Sequence, residues 1–125
     1  MAPSPSSLAL VVEDEWFPRM DLADALSEIG WQVVECATGE QAMAFLASGA
    51  QVAVLVTDIR LPGAVNGWDV AIQLRTINPD AVVIYCSGNP VDCERQVSAS
   101  TFLSKPCAMD KLLKAAGRPG ETEPA

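Results

Sequence analysis

The chain has 125 residues, half of them hydrophobic, with 16 acidic and 8 basic side chains and a formal net charge of −8. That size holds one domain with a single substantial core, and the acidic balance excludes sequence-independent binding to nucleic acid, which needs a basic face. Histidine is absent, which removes histidine general bases, histidine phosphoacceptors and most zinc sites. No apolar run reaches membrane-spanning length, and the N-terminus lacks the charged start of a signal peptide.

Residues 1–7 read as a flexible arm, 8–116 as the domain, and 117–125, rich in Pro, Gly and Glu, as a flexible tail. Leu8-Ala9-Leu10-Val11-Val12 has the unbroken apolar character of a strand buried on both faces. A helix follows, with Pro18 in its first turn, Leu22, Ala25, Leu26 and Ile29 on its buried face, and Gly30 at its end. Trp31-Gln32-Val33-Val34-Glu35 is a shorter, more exposed strand. Thr38 and Gln41 are spaced as a capping box for a helix carrying Ala42, Phe45 and Leu46 inward and ending at Gly49.

Val52 to Thr57 is the third strand. Asn66 caps a helix with Val70, Ala71, Leu74 and Ile77 on its inner face, stopped by Asn78-Pro79-Asp80. Ala81 to Cys86 is the fourth strand, and Pro90 to Val97 is only weakly helical. Thr101-Phe102-Leu103 is a short fifth strand, and Met109, Leu112, Leu113 and Ala116 form a last helical face. Five strands alternating with four or five helices predict an α/β fold, a parallel sheet with helices on both faces. In such sheets the functional crevice lies beyond the C-terminal ends of the strands.

Four apolar runs end in polar groups of different kinds: Glu13-Asp14, Asp58, Ser87-Gly88 and Lys105-Pro106. A carboxylate at the end of a buried strand costs free energy unless a cation or hydrogen-bond donor meets it. The common position of these groups therefore predicts one assembled site. Cys36, Cys86, Cys93 and Cys107 include no C-x-x-C pair, and Cys86 lies within an apolar run. They read as thiols of a reduced cytosolic protein, used as small hydrophobes. Trp16, just past Asp14, and Trp68 read as packing or surface residues, with Trp16 placed to overhang the site; Tyr85 and Cys86 read as core.

The segments Val11-Val12-Glu13-Asp14-Glu15, Val56-Thr57-Asp58-Ile59-Arg60-Leu61-Pro62-Gly63, Tyr85-Cys86-Ser87-Gly88 and Phe102-Leu103-Ser104-Lys105-Pro106 resemble the receiver domain of two-component response regulators. The resemblance implies a flavodoxin-like, doubly wound five-stranded sheet of order 2-1-3-4-5. It implies that Asp58 accepts a phosphoryl group from a histidine kinase or phosphotransfer protein, giving an aspartyl phosphate. Glu13, Asp14, Asp58 and the backbone carbonyl of Arg60 would hold Mg²⁺ or Mn²⁺. Lys105 and Ser87 would contact phosphoryl oxygens, and Ser87 and Phe102 would form the switch. The family also implies a cis Lys105-Pro106 bond. Glu15 reads as a first-turn helix charge rather than a ligand.

Three departures from the family pattern stand out. The Asp58 to Gly67 loop is about one residue longer than usual. Only 17 residues separate Ser87 from Lys105, so the fourth helix is expected to be a single turn or irregular. No output segment follows Gly117, which suggests a stand-alone receiver or one excised from a hybrid histidine kinase. Arg60 and Asn89 flank the site and are expected to tune dephosphorylation. The expected class is a cytoplasmic signalling module rather than an enzyme, catalysing only its own phosphorylation and dephosphorylation. It would be monomeric or a weak phosphorylation-dependent dimer, with a downstream protein partner. The alternative is a phosphorylation-independent pseudo-receiver or scaffold. A small aspartyl-phosphate phosphatase is disfavoured, since the position of its second acid holds Arg60.

Overall fold

The computed structural model describes residues 6–88 and 92–120. Five strands, β1 (Leu8–Val12), β2 (Gln32–Cys36), β3 (Val52–Thr57), β4 (Val82–Ser87) and β5 (Thr101–Ser104), form one parallel sheet in the order 2-1-3-4-5. The helices are α1 (Trp16–Glu28), α2 (Gly39–Ala47), α3 (Gly67–Ile77) and α4 (Met109–Ala116). β1 is apolar throughout and β3 up to its closing Thr57, and Ala9 to Val12 and Val54 to Val56 are fully buried. They divide the core into two layers. Leu10, Leu55, Trp68 and Leu74 pack on the α2–α3 side; Val11, Val56, Leu26 and Leu112 pack on the α1–α4 side.

Local chemistry sets the helix starts. The Thr38 hydroxyl accepts the Gln41 N–H at 3.1 Å, while the Gln41 side-chain oxygen accepts from Ala37 rather than Thr38. Asn66 and Asp69 form a complete capping box at α3. Gly30, with φ 108°, follows α1 in the left-handed region that glycine adopts without strain. On α1 the fully packed small residue is Ala23, with Ala25 only half-buried. Ile77, expected inside, is exposed at the C-terminal end of α3, one turn past the buried Leu74.

Among its described residues, the crossover from β4 to β5 holds one 3-10 turn, at Cys93–Arg95, and no α-helix. Without helical bonding, its backbone groups find side-chain partners. The Arg75 guanidinium of α3 donates to the carbonyls of Ala81, Ser98 and Ala99 at 2.8, 2.7 and 3.0 Å. The Tyr85 hydroxyl accepts the Val97 N–H at 3.2 Å, and Arg95 returns a salt bridge to Asp69 at 2.6 Å. The segment is thus stitched to α3 rather than folded as its own helix. Pro90 and Asn89, named above, lie outside the described residues.

The loop after Asp58 is held in a comparable way. Glu40, in the first turn of α2, accepts the N–H groups of Ala64 and Val65 at 2.8 and 3.3 Å. Those hydrogen bonds hold its carboxyl below the usual range. Gly67 then passes so close to Asp58 that a Cβ there would meet the Asp58 carbonyl oxygen at 2.1 Å. Any larger residue would push α3 away from the end of β3.

The described parts of the two expected flexible ends are tied down. The Ser7 carbonyl accepts the Gln32 N–H at 2.8 Å. Trp31, expected to begin β2, instead precedes it, is buried, and donates its indole N–H to the Gly117 carbonyl at 2.8 Å. Residues 1–5 and 121–125, the remainder of the expected arm and tail, lie outside the described residues. Among the described residues, no helix is long and apolar enough to cross a membrane.

Candidate functional site

The site gathers at the C-terminal ends of β1, β3, β4 and β5. Parallel pairing aligns Val12 with Thr57, so Glu13 and Asp58 leave adjacent strands side by side, and the Asp58 N–H donates to the Val12 carbonyl at 3.0 Å. Carboxylate oxygens of Glu13, Asp14 and Asp58 all lie within 4.8 Å of one another. Glu13 is buried, Asp58 nearly so, and Asp14 exposed. An anionic cluster of this density is costly in a partly dry setting.

Lys105 meets that cost. Its Nζ donates to Glu13 Oε1 at 2.6 Å and to Asp58 Oδ2 at 2.8 Å. Burial alone would lower the Lys105 pKa, but the hydrogen bonds to Asp58 and Glu13 outweigh it and hold the ammonium above the usual lysine range. Glu13 moves upward too, because burial outweighs the stabilisation from Lys105 and the Glu15 N–H. The second oxygen of Asp58 accepts the Ile59 N–H at 2.6 Å, which fixes the carboxylate plane. Arg19 of α1 donates to the Glu13 carbonyl at 2.9 Å and pairs with Glu35 at 3.3 Å, bracing the β1–α1 turn.

Ser87 ends β4 and is buried, and its carbonyl accepts the Lys105 N–H at 3.1 Å. Lys105-Pro106 is cis, as the resemblance implied. Phe102 is half-buried on β5, packed near Tyr85 with ring centroids 6.4 Å apart. Arg60 is exposed beside Asp58. The structure therefore brings together Glu13, Asp14, Asp58 and Lys105 by direct contact or proximity. Ser87 joins through the backbone, and Phe102 lies one layer behind.

Three hard oxygen donors with a partly open side fit a small divalent cation that keeps some of its waters. Trp16 is exposed on the first turn of α1, next to Phe17, whereas Trp68 is fully buried against Tyr85. A cavity of about 450 Å³ opens between α1 and the β5–α4 turn, reaching Glu13, Phe17, Pro18, Lys105 and Met109.

One pairing escaped the sequence reading. Cys86 is buried in the core, as expected, but it is paired there with Cys107 in a disulfide, with Cα atoms 6.4 Å apart. The parallel β4–β5 register and the turn after Lys105 bring these residues within bridging distance, and neither is apparent from a spacing of 21 residues. Cys36 remains a buried thiol, its pKa raised by burial, and Cys93 is an exposed one.

Comparison with known proteins agrees with this geometry. Residues 9–117 match the response regulator receiver domain family, and the chain belongs to that family. It is 33% identical over 114 residues to the sensor kinase CckA of Brucella abortus, covering 87% of this chain and 12% of that protein. It is 29% identical over 110 residues to the transcriptional regulatory protein PdtaR of Mycobacterium tuberculosis, covering 85% of this chain and 53% of that protein. The chain thus spans about half of one relative and a small part of the other. Among solved structures, a response regulator receiver protein from Sinorhizobium medicae superposes with a TM-score of 0.84 at 31% identity. That match covers 89% of this chain and 91% of the other.

Proposed function

We propose that this receiver is a phosphoacceptor of a two-component phosphorelay, with Asp58 as the nucleophile. The observation that carries the proposal is the single ammonium of Lys105 bridging Asp58 and Glu13 within a group of three carboxylates. A structural ion pair does not require the third carboxylate. In the reaction, an Asp58 oxygen forms a bond to phosphorus as the bond from phosphorus to the donor imidazole nitrogen breaks. Water later attacks the aspartyl phosphate and returns inorganic phosphate.

Glu13, Asp14, Asp58 and the Arg60 carbonyl would hold Mg²⁺ or Mn²⁺, which supplies charge neutralisation for the phosphoryl oxygens. Lys105 exchanges its carboxylate contacts for a phosphoryl oxygen and acts as a compact cation. Ser87 donates its hydroxyl to another oxygen. Its movement, with that of Phe102, biases a partner-binding surface by population shift. The phosphoryl donor is a histidine kinase or histidine phosphotransfer protein, and the output is a cytoplasmic protein partner rather than DNA. On this reading the chain is a signalling module and turns over no external substrate. Arg60 stands where it can bias the approach of water to the aspartyl phosphate.

Intact mass after incubation with acetyl phosphate and Mg²⁺ tests the proposal. One phosphoryl adduct is expected, absent with EDTA and in Asp58→Asn. Labelling that survives Asp58→Asn would disprove the assigned nucleophile. The alternative reading, a scaffold that works without phosphorylation, would draw on the short 3-10 turn at Cys93–Arg95 between β4 and β5. No adduct, together with no response of melting temperature to beryllofluoride and Mg²⁺, would select that reading.

A further inference from the structure

Cys86 immediately precedes Ser87, and Cys107 follows Lys105 by two residues. The two switch-bearing segments are already joined by the β4–β5 ladder, through the Cys86–Leu103 and Ser87–Ser104 pairs and the Lys105 N–H to Ser87 carbonyl bond. The Cys86–Cys107 bond adds a covalent tie just beyond the end of that ladder. Both cysteines line the cavity that also reaches Glu13 and Lys105. Cys86 is 5% exposed and Cys107 half-buried, so a small reagent meets Cys107 first.

We propose that Cys86 and Cys107 are a reversible redox modification site, and that their disulfide slows phosphoryl uptake at Asp58 by tethering the segments that carry Ser87 and Lys105. The effect on uptake rests on the phosphoacceptor reading above; the disulfide chemistry does not. In a reducing compartment such a bond is transient and redox-sensing rather than structural. The oxidant class is a peroxide. The Cys107 thiolate attacks a peroxide oxygen, the O–O bond breaks to leave a sulfenic acid, and the departing hydroxide (or alkoxide) takes a proton from solvent to become water (or alcohol). The Cys86 thiol then attacks that sulfur, closing the disulfide and releasing water. A dithiol reductant reverses it by two exchanges, becoming a disulfide itself and returning two thiols.

Two features connect the bond to the site. Ser87 and Lys105 must approach a new phosphoryl group together, and a cross-link one residue from the first and two from the second limits how the two can shift. The remaining thiols are separable from the pair: Cys36 is buried, and Cys93 is an exposed free thiol outside the bond. Cys93→Ser therefore provides a clean background.

The experiment uses the full chain carrying Cys93→Ser, treated with hydrogen peroxide or with a dithiol. Alkylation and peptide mass mapping read the bond, and amide exchange of residues 83–88 and 101–108 reads the tether without any phosphoryl transfer. Acetyl phosphate labelling reads its effect. A Cys86–Cys107 linkage under peroxide is expected, with slower exchange in both segments. Uptake should fall at least about five-fold relative to the reduced form, the lower range of coupling between sites. Cys107→Ser, or Cys107→Ala should the serine variant not fold, should label at the reduced rate whatever the treatment. Free thiols after peroxide, or a linkage that changes neither exchange nor labelling, would overturn the inference. A reduced protein that never labels would overturn the phosphoacceptor reading instead, while amide exchange would still decide the tether.

Discussion

Replacing Lys105 with methionine removes the one cation that touches both buried carboxylates while keeping most of the aliphatic stem. Carboxylate oxygens no more than 4.8 Å apart repel by at least about 3.5 kcal/mol per pair at an effective dielectric near 20. Lys105 is itself 27% exposed, so solvent screens part of what it contributes. The cost of losing it is therefore about 3 kcal/mol, the low end for breaking a buried ion pair. For a domain of this size that is a melting temperature roughly 10 °C lower in metal-free buffer at neutral pH. Millimolar Mg²⁺ should recover much of the loss, because a divalent ion at ~100 times its Kd adds about 2.7 kcal/mol. The variant has lost the ammonium that bonds Glu13 and Asp58 directly. The assay is a pair of thermal melts, wild type and Lys105→Met, each with EDTA and with Mg²⁺. The Mg²⁺ increment should be larger in the variant. An equal or smaller increment, or a metal-free variant as stable as wild type, would refute the view that Lys105 and a cation share one charge-balancing role.

Two further outcomes follow from side chains outside the site. Asp69 caps α3 and pairs with Arg95; burial opposes its ionisation, but the hydrogen bonds from Arg95 and the Asn66 N–H outweigh it and hold its pKa below 3.8. A carboxyl lowered on folding stabilises the native state above its unfolded pKa, and that contribution fades as pH falls through the folded value. Asp69→Asn should thus cost about 1 kcal/mol at neutral pH. Its difference from wild type, read from urea midpoints, should shrink only below about pH 4; a difference constant down to pH ~2 would contradict the assignment. Arg75→Met leaves the carbonyls of Ala81, Ser98 and Ala99 without their charged donor. It should lower stability by about 2 kcal/mol and speed amide exchange around residues 92–100; unchanged exchange there would show that the segment holds itself.

Much of this architecture is written locally. The unbroken apolar runs at Leu8–Val12 and Val52–Thr57 demand a sheet covered on both faces, and they became its two central strands. Thr38 and Asn66 announce helix starts through their own side chains. The convergence of the candidate residues was legible for the same reason: Glu13, Asp14, Asp58, Ser87 and Lys105 each lie at or just past the C-terminal end of a strand, so a parallel sheet carries them to one end. What could not be read depends on contacts between distant segments. Arg75 gives no sign in sequence that it will serve carbonyls 23 and 24 residues away. Trp31 resembles a strand residue until the end of α4 supplies an acceptor for its indole. The Cys86–Cys107 bond requires a register and a turn that spacing does not encode.

The bonds from Ser7 to Gln32 and from Trp31 to Gly117 have an architectural consequence. Trp31 and Gln32 are consecutive, so the start of β1 and the end of α4 meet at a single pole, where β2 begins. The acidic pole lies at the far end of the strands, roughly 20 Å away for a six-residue strand. A domain built this way can be joined to another polypeptide through two neighbouring junctions, or anchored to a surface by either, with its acidic pole at the opposite end of the strands.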